Sequence, residues 1–103
     1  MQEPYDHDTA RTFVRNIVDG KGTYAIPGTA WKTMRDADMT SGDVANVLRG
    51  GKISVIEAKD ACWRYQSRTN RMIVEFCFRS NGVDPTHAAP NEVVILSARR
   101  SKP

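Results

Sequence analysis

The chain has 103 residues, with 15 basic and 12 acidic side chains, a net charge of +3 and 40% hydrophobic residues. That suffices for one core and one domain and is too little for two. No run approaches the ~20 consecutive apolar residues that a membrane-spanning helix needs.

The acidic, polar start MQEPYDHDTARTF lacks the apolar centre of a secretory signal, so the cytoplasm is the expected compartment. In DHDTARTFVRNIVDGKG, Ala10, Phe13, Val14, Ile17 and Val18 recur at spacings of three and four and predict an amphipathic helix. Asp6 or Asp8 can cap its start, and Gly20 and Gly22 can stop it. TYAIPGTAW then crosses to a shorter helix with Ala30, Trp31 and Met34 on its buried side and Thr29 as N-cap. Thr40-Ser41-Gly42-Asp43 has the spacing of a capping box. Val44, Val47 and Leu48 follow as the core face of a third helix, and Gly50-Gly51 ends it, glycine accepting a left-handed terminus at little cost.

From Lys52 the apolar period changes to two. KISVIEA, DACWRYQS, RMIVEFCFRS and EVVILSARR predict four strands rich in β-branched and aromatic residues. The loop NGVDPTHAAPN between the last two is rich in turn-formers and holds His87. A turn at Thr69-Asn70 would set Trp63 against Phe76 and Tyr65 against Val74 on one face. Arg64 would then meet Glu75, and Cys62 would meet Cys77, on the other.

The predicted fold is α+β: three N-terminal helices, about 6–50, packed on one face of a four-stranded antiparallel sheet, about 52–100, in a single domain 1–103. The ends, 1–4 and 101–103, are expected to be disordered. Trp31, Trp63 and Tyr65 are expected in the core.

Charge is unevenly placed. Residues 1–59 are balanced, and the whole excess lies in residues 60–103, where six of seven cations are arginine. Arginine's planar fork matches phosphate oxygens better than lysine's point charge. The two cysteines, Cys62 and Cys77, and two histidines, His7 and His87, lack metal-ligand spacing, so buried thiols are expected and a metal is not. There is no Ser/His/Asp arrangement, no phosphate-binding glycine loop and no pair of carboxylates on one helix face. No cofactor is expected.

The order of motifs resembles the bacterial family designated domain of unknown function 4258. Ala30, Met34, Asp36, Thr40, Asp43-Val44, Leu48 and Gly51 follow its helical pattern, and Trp63-Arg64-Tyr65, Ile73–Phe76 and Val93–Arg99 its strands, over roughly 24–100. Thr29 stands where that pattern has histidine, and Ala37 where it has arginine. The family is similar to the RelE/ParE-like toxins, small α+β proteins that include metal-independent ribonucleases and gyrase poisons. The resemblance therefore implies a RelE/ParE-like fold, a metal-independent ribonuclease acting on RNA and a small antitoxin as partner.

Such cleavage needs a proton acceptor, a proton donor and positive charge on the phosphate. Arg64, in the WRY strand, and Arg99 are the candidates for the charge, and Glu75 and His87 for the proton transfers. Arg68, Arg71, Arg79 and Arg100 are the candidates for nucleic-acid binding. Two other readings stand beside this one: a non-catalytic module that binds nucleic acid or protein through the sheet, and a homodimer that uses the sheet's open face.

Overall fold

The computed structural model describes residues 3–21, 23–59, 62–79 and 90–101. The chain runs α1 (His7–Asn16), a wide π-type turn (Ile17–Lys21), β1 (Thr23–Ala25), α2 (Gly28–Asp36), α3 (Ser41–Gly50), β2 (Lys52–Lys59), β3 (Cys62–Arg68), β4 (Met72–Arg79) and β5 (Glu92–Arg100). The class is α+β, with three helices, as predicted. The sheet has five strands rather than four, in the order β1-β5-β4-β3-β2, and it is mixed: β1 runs parallel to β5 through Thr23↔Glu92, Tyr24↔Val93 and Ala25↔Val94. Three residues that pair with a partner almost seventy positions later carry no local period, which is why TYA reads as a crossing. Among the described residues no helix is long and apolar enough to cross a membrane.

Local chemistry explains the helix ends. The Asp6 carboxylate accepts the Thr9 amide at 2.8 Å and caps α1. Gly20, at φ 106°, breaks the turn that follows in a conformation other residues adopt only under strain. α3 opens on the capping box: Thr40 Oγ1 accepts the Asp43 amide at 3.1 Å and Asp43 Oδ2 accepts the Thr40 amide at 2.9 Å. Two cap expectations are corrected. The N-cap of α2 is Pro27, one residue before the helix starts at Gly28, so Thr29 lies inside the first turn. Gly51 closes α3 at φ −76°, ψ 162°, which is extended and not left-handed; packing explains that glycine, as shown below.

The helices cover one face. α2 lies against β5, and α1 and α3 against β2, β3 and β4. Ala10, Phe13 and Val14 from α1, Ile17 from the turn that follows it, Ala30 and Met34 from α2, and Val44, Val47 and Leu48 from α3 meet Ile53, Tyr65, Val74, Phe76, Val93, Ile95 and Ala98 from the sheet. Trp63 packs at the edge of this core, but Trp31 is 42% exposed and belongs to the solvent side of α2.

A ring of aromatics, Tyr5, Phe13, Tyr65, Phe76 and Phe78, stacks edge-to-face and offset with centroids 4.9–6.2 Å apart. Tyr65 is fully buried. Its hydroxyl donates to Glu3 Oε2 at 2.7 Å and accepts the Tyr5 amide at 3.0 Å. Burial raises the pKa of both Glu3 and Tyr65. Glu3 and Ser101, read as disordered from sequence, are thus tied down; Ser101 bonds to Asn70 and Arg71. The other terminal residues of that expectation, apart from Pro4, lie outside the described ones.

Candidate phosphate-binding face of the sheet

The side of the sheet away from the helices positions the candidate residues. The β3–β4 turn fixes which side chains share it. Thr69 Oγ1 accepts the Arg71 and Met72 amides at 3.3 and 3.1 Å, and the Thr69 amide donates to the Met72 carbonyl at 2.9 Å. Asn70-Arg71 is therefore the turn. The register becomes Tyr65↔Phe76, Gln66↔Glu75, Ser67↔Val74 and Arg68↔Ile73. The expected pairs of Trp63 with Phe76, Tyr65 with Val74, Arg64 with Glu75 and Cys62 with Cys77 are each displaced by two residues. A shift of two preserves which face each side chain takes, so the predicted faces hold while the partners change.

Bulges between Val55 and Glu57 on β2, and opposite Glu75/Phe76 on β5, adjust the neighbouring strands. The open face then reads in rows. One row is Lys52–Arg68–Ile73–Arg99, and the next is Ser54–Gln66–Glu75–Ser97. Glu57 faces Arg64 at the start of a third.

Glu75 is the centre. Arg99 reaches its Oε1 from one side at 3.6 Å, Arg64 its Oε2 from the other at 3.6 Å, and Ser97 donates a hydrogen bond to Oε2 at 2.9 Å. Arg64 also lies 3.4 Å from Glu57 Oε1. Glu75 is 19% exposed, Arg64 25% and Arg99 53%. So Arg64, Glu75 and Arg99, on three different strands, converge, with Arg64 meeting Glu75 diagonally rather than squarely. All three arginine–carboxylate distances exceed the ~2.7–2.9 Å of a tight charged hydrogen bond. Each guanidinium carries five donors, so an incoming phosphate finds donors that Glu75 does not occupy. Among the described residues, Lys52 and Arg68 share this face with Arg64, Arg99, Glu57 and Glu75.

The other candidates are dispersed. Arg68 shares the face, two positions along β3 beyond Gln66. Arg71 is exposed in the turn. Arg79 ends β4, exposed, in register with Glu92. Arg100 leaves this face, donating to the Ala37 carbonyl at 2.7 Å and the Asp38 carbonyl at 2.9 Å. There it serves the carbonyl-rich end of α2, where a cation is favoured. His87 lies outside the described residues. Lys52, Gln66 and Ser97 were missed by the sequence reading. Only the register brings them beside Arg68 and Glu75, although Gln66 at two-residue spacing between Arg64 and Arg68 was a usable signal.

The thiols also differ from expectation, since Cys62 is exposed and only Cys77 is buried. Burial, and then the neighbouring Cys62, push the Cys77 thiol up to about 11 from an ordinary 9.0. The thiolate is the reactive form. A disulfide reagent such as dithionitrobenzoate should therefore modify Cys62 at once and Cys77 only on unfolding, and Cys62→Ser should abolish the fast phase. A raised pKa means that stability is fully present below the unfolded value and is lost as pH rises through the folded one. The thermal midpoint should accordingly fall between pH 9 and 11, and less steeply in Cys77→Val. A flat profile for the parent protein over that range would contradict the burial.

Compared with family models, with curated proteins and with solved structures, the chain matches none.

Proposed function

We propose that this protein is a small toxin-like ribonuclease that holds single-stranded RNA on the open face of its sheet and cleaves it without a metal. The observation that carries the reading is the convergence of Arg64 and Arg99 on the Glu75 carboxylate. The ribose 2′-oxygen attacks the adjacent phosphorus, its proton passes to Glu75, and the bond from phosphorus to the 5′-oxygen breaks. Arg64 and Arg99 hold the charge that accumulates on the non-bridging oxygens. The 5′-oxygen leaves with a proton, and His87 is the residue the sequence offers to supply it. The products are a 2′,3′-cyclic phosphate and a 5′-hydroxyl. The motif order over 24–100 supports the toxin-like setting, in which a small acidic antitoxin would cover the cationic face.

RNA incubated with the purified protein in EDTA should yield fragments ending in cyclic phosphate, and Arg64→Ala should slow this by about 100-fold or more, the usual effect of removing one transition-state donor. RNA that stays intact but bound would favour a second reading, a binding module without catalysis. One feature supports that alternative. Glu75 is engaged by Ser97 and two arginines at once, which leaves its carboxylate less free to take a proton.

A further inference from the structure

Beside the Glu75 row, toward the β3–β4 turn, the open face dips into a polar groove of about 650 Å³ lined by Lys52, Ser54, Gln66, Arg68, Thr69 and Asn70, with Ser101 at its end. Lys52 and Arg68 stand directly opposite each other on β2 and β3. Like charges at facing positions destabilise a strand pair, and among the described residues neither has a carboxylate within ion-pair distance. Lys52 and Arg68 are exposed, so the repulsion is tolerated in water, but nothing among the described residues uses these charges. An anion seated between them would turn the repulsion into two attractions. The groove walls add hydroxyls and carboxamides, which satisfy both phosphate oxygens and the edges of an unstacked base. Arg68 lies four residues from Arg64 on one strand, roughly 13 Å along β3, a span of a few nucleotides.

We infer that this groove is a second phosphate subsite for the same RNA strand, with Lys52 and Arg68 clamping a phosphodiester a few nucleotides along from the one gripped at Arg64 and Arg99, and Gln66 and Asn70 contacting its base. The inference rests on the reading of the open face as an RNA site and extends it to a directional track along β3. A short RNA fills the Glu75 centre alone, whereas a longer one reaches the groove. Lys52 and Arg68 are then affinity determinants with no part in the chemistry at Glu75.

Fluorescence anisotropy with non-cleavable 2′-O-methyl uridine oligomers of two and six nucleotides tests this. The double variant Lys52→Gln, Arg68→Gln should lose about tenfold in affinity for the hexamer, keep its affinity for the dimer, and shed about 0.7 per removed cation from the slope of log affinity against log salt. Its thermal midpoint should equal or exceed that of the parent protein, since a repulsion is removed; this also verifies folding. Unchanged hexamer binding in the double variant, with binding lost in Arg64→Ala, would overturn the groove and leave the Glu75 centre standing. Binding lost in the double variant but kept in Arg64→Ala and Arg99→Ala would support the groove and remove the Glu75 centre. A parent protein that binds neither oligomer would overturn both.

Discussion

Gly51→Ala should unfold at a midpoint roughly 10–20 °C below the parent protein, a loss of about 3 kcal/mol. The backbone angles at Gly51 suit any residue, so the cost is steric. An added Cβ would lie 2.6 Å from the Val47 carbonyl oxygen and 3.0 Å from the Arg68 amide nitrogen, and closer still to Ser67 Oγ. Two of these neighbours are backbone, and the third is fully buried and donates to the Val47 carbonyl at 2.6 Å. Admitting the methyl group requires the end of α3 to separate from β3. That separation breaks the Ser67–Val47 bond and strands a buried hydroxyl, at ~1–3 kcal/mol for such a group. Gly50→Ala is the control. Nothing stands within 4 Å of its added Cβ, and alanine in a helix is worth up to about 1 kcal/mol over glycine. Urea unfolding of the two variants should therefore move in opposite directions. A Gly51→Ala midpoint within a degree or two of the parent would show that α3 and β3 are not in contact there.

Glu75→Gln should tighten RNA binding severalfold while cutting cleavage by about 100-fold or more. These opposite signs follow from the place of the carboxylate between two guanidiniums. Its charge competes with phosphate for Arg64 and Arg99, so neutralising it frees both for the ligand. In the proposed reaction the same charge accepts the 2′-hydroxyl proton, so neutralising it removes the base. Glutamine keeps the shape and can still accept from Ser97, and partly exposed ion pairs as long as these contribute only ~0–1 kcal/mol each, so the variant should remain folded. Affinity and cleavage measured side by side decide between the roles. Tighter binding with unchanged cleavage would assign the chemistry elsewhere, and weaker binding would make Glu75 a scaffold for the arginines.

Much of the fold is legible where the signal is local. The stripe of α1, the Thr40–Asp43 box and the four strands from Lys52 to Arg100 are written in spacings of three to four or of two, and the structure follows them. The faces of β3 and β4 were also readable, because alternation survives a register error of two. The register itself was not. It depends on Thr69 turning its hydroxyl onto two amides ahead of it, a choice that Thr-Asn and Asn-Arg turns leave open in sequence. β1 escaped for want of length, and the bulges on β2 and β5 escaped because no glycine marks them. Residue type alone does not place a side chain. Trp31 sits on the wet side of α2, and Arg100, at the end of a strand rich in signal, turns to the α2 carbonyls. The convergence of Arg64, Glu75 and Arg99 was anticipated as chemistry, but it needed the β5 bulge to bring Ser97 level with Glu75.

The most direct measurement is a double-mutant cycle on Arg64 and Arg99, read as affinity for a non-cleavable 2′-O-methyl RNA at several salt concentrations. If both guanidiniums grip one phosphodiester, each alanine variant should weaken binding, the pair together should cost less than the product of the single effects, and the salt slope should fall by about 0.7 for the charge removed in each single variant. Independent effects, or affinity that ignores both substitutions, would contradict a shared phosphate at Glu75.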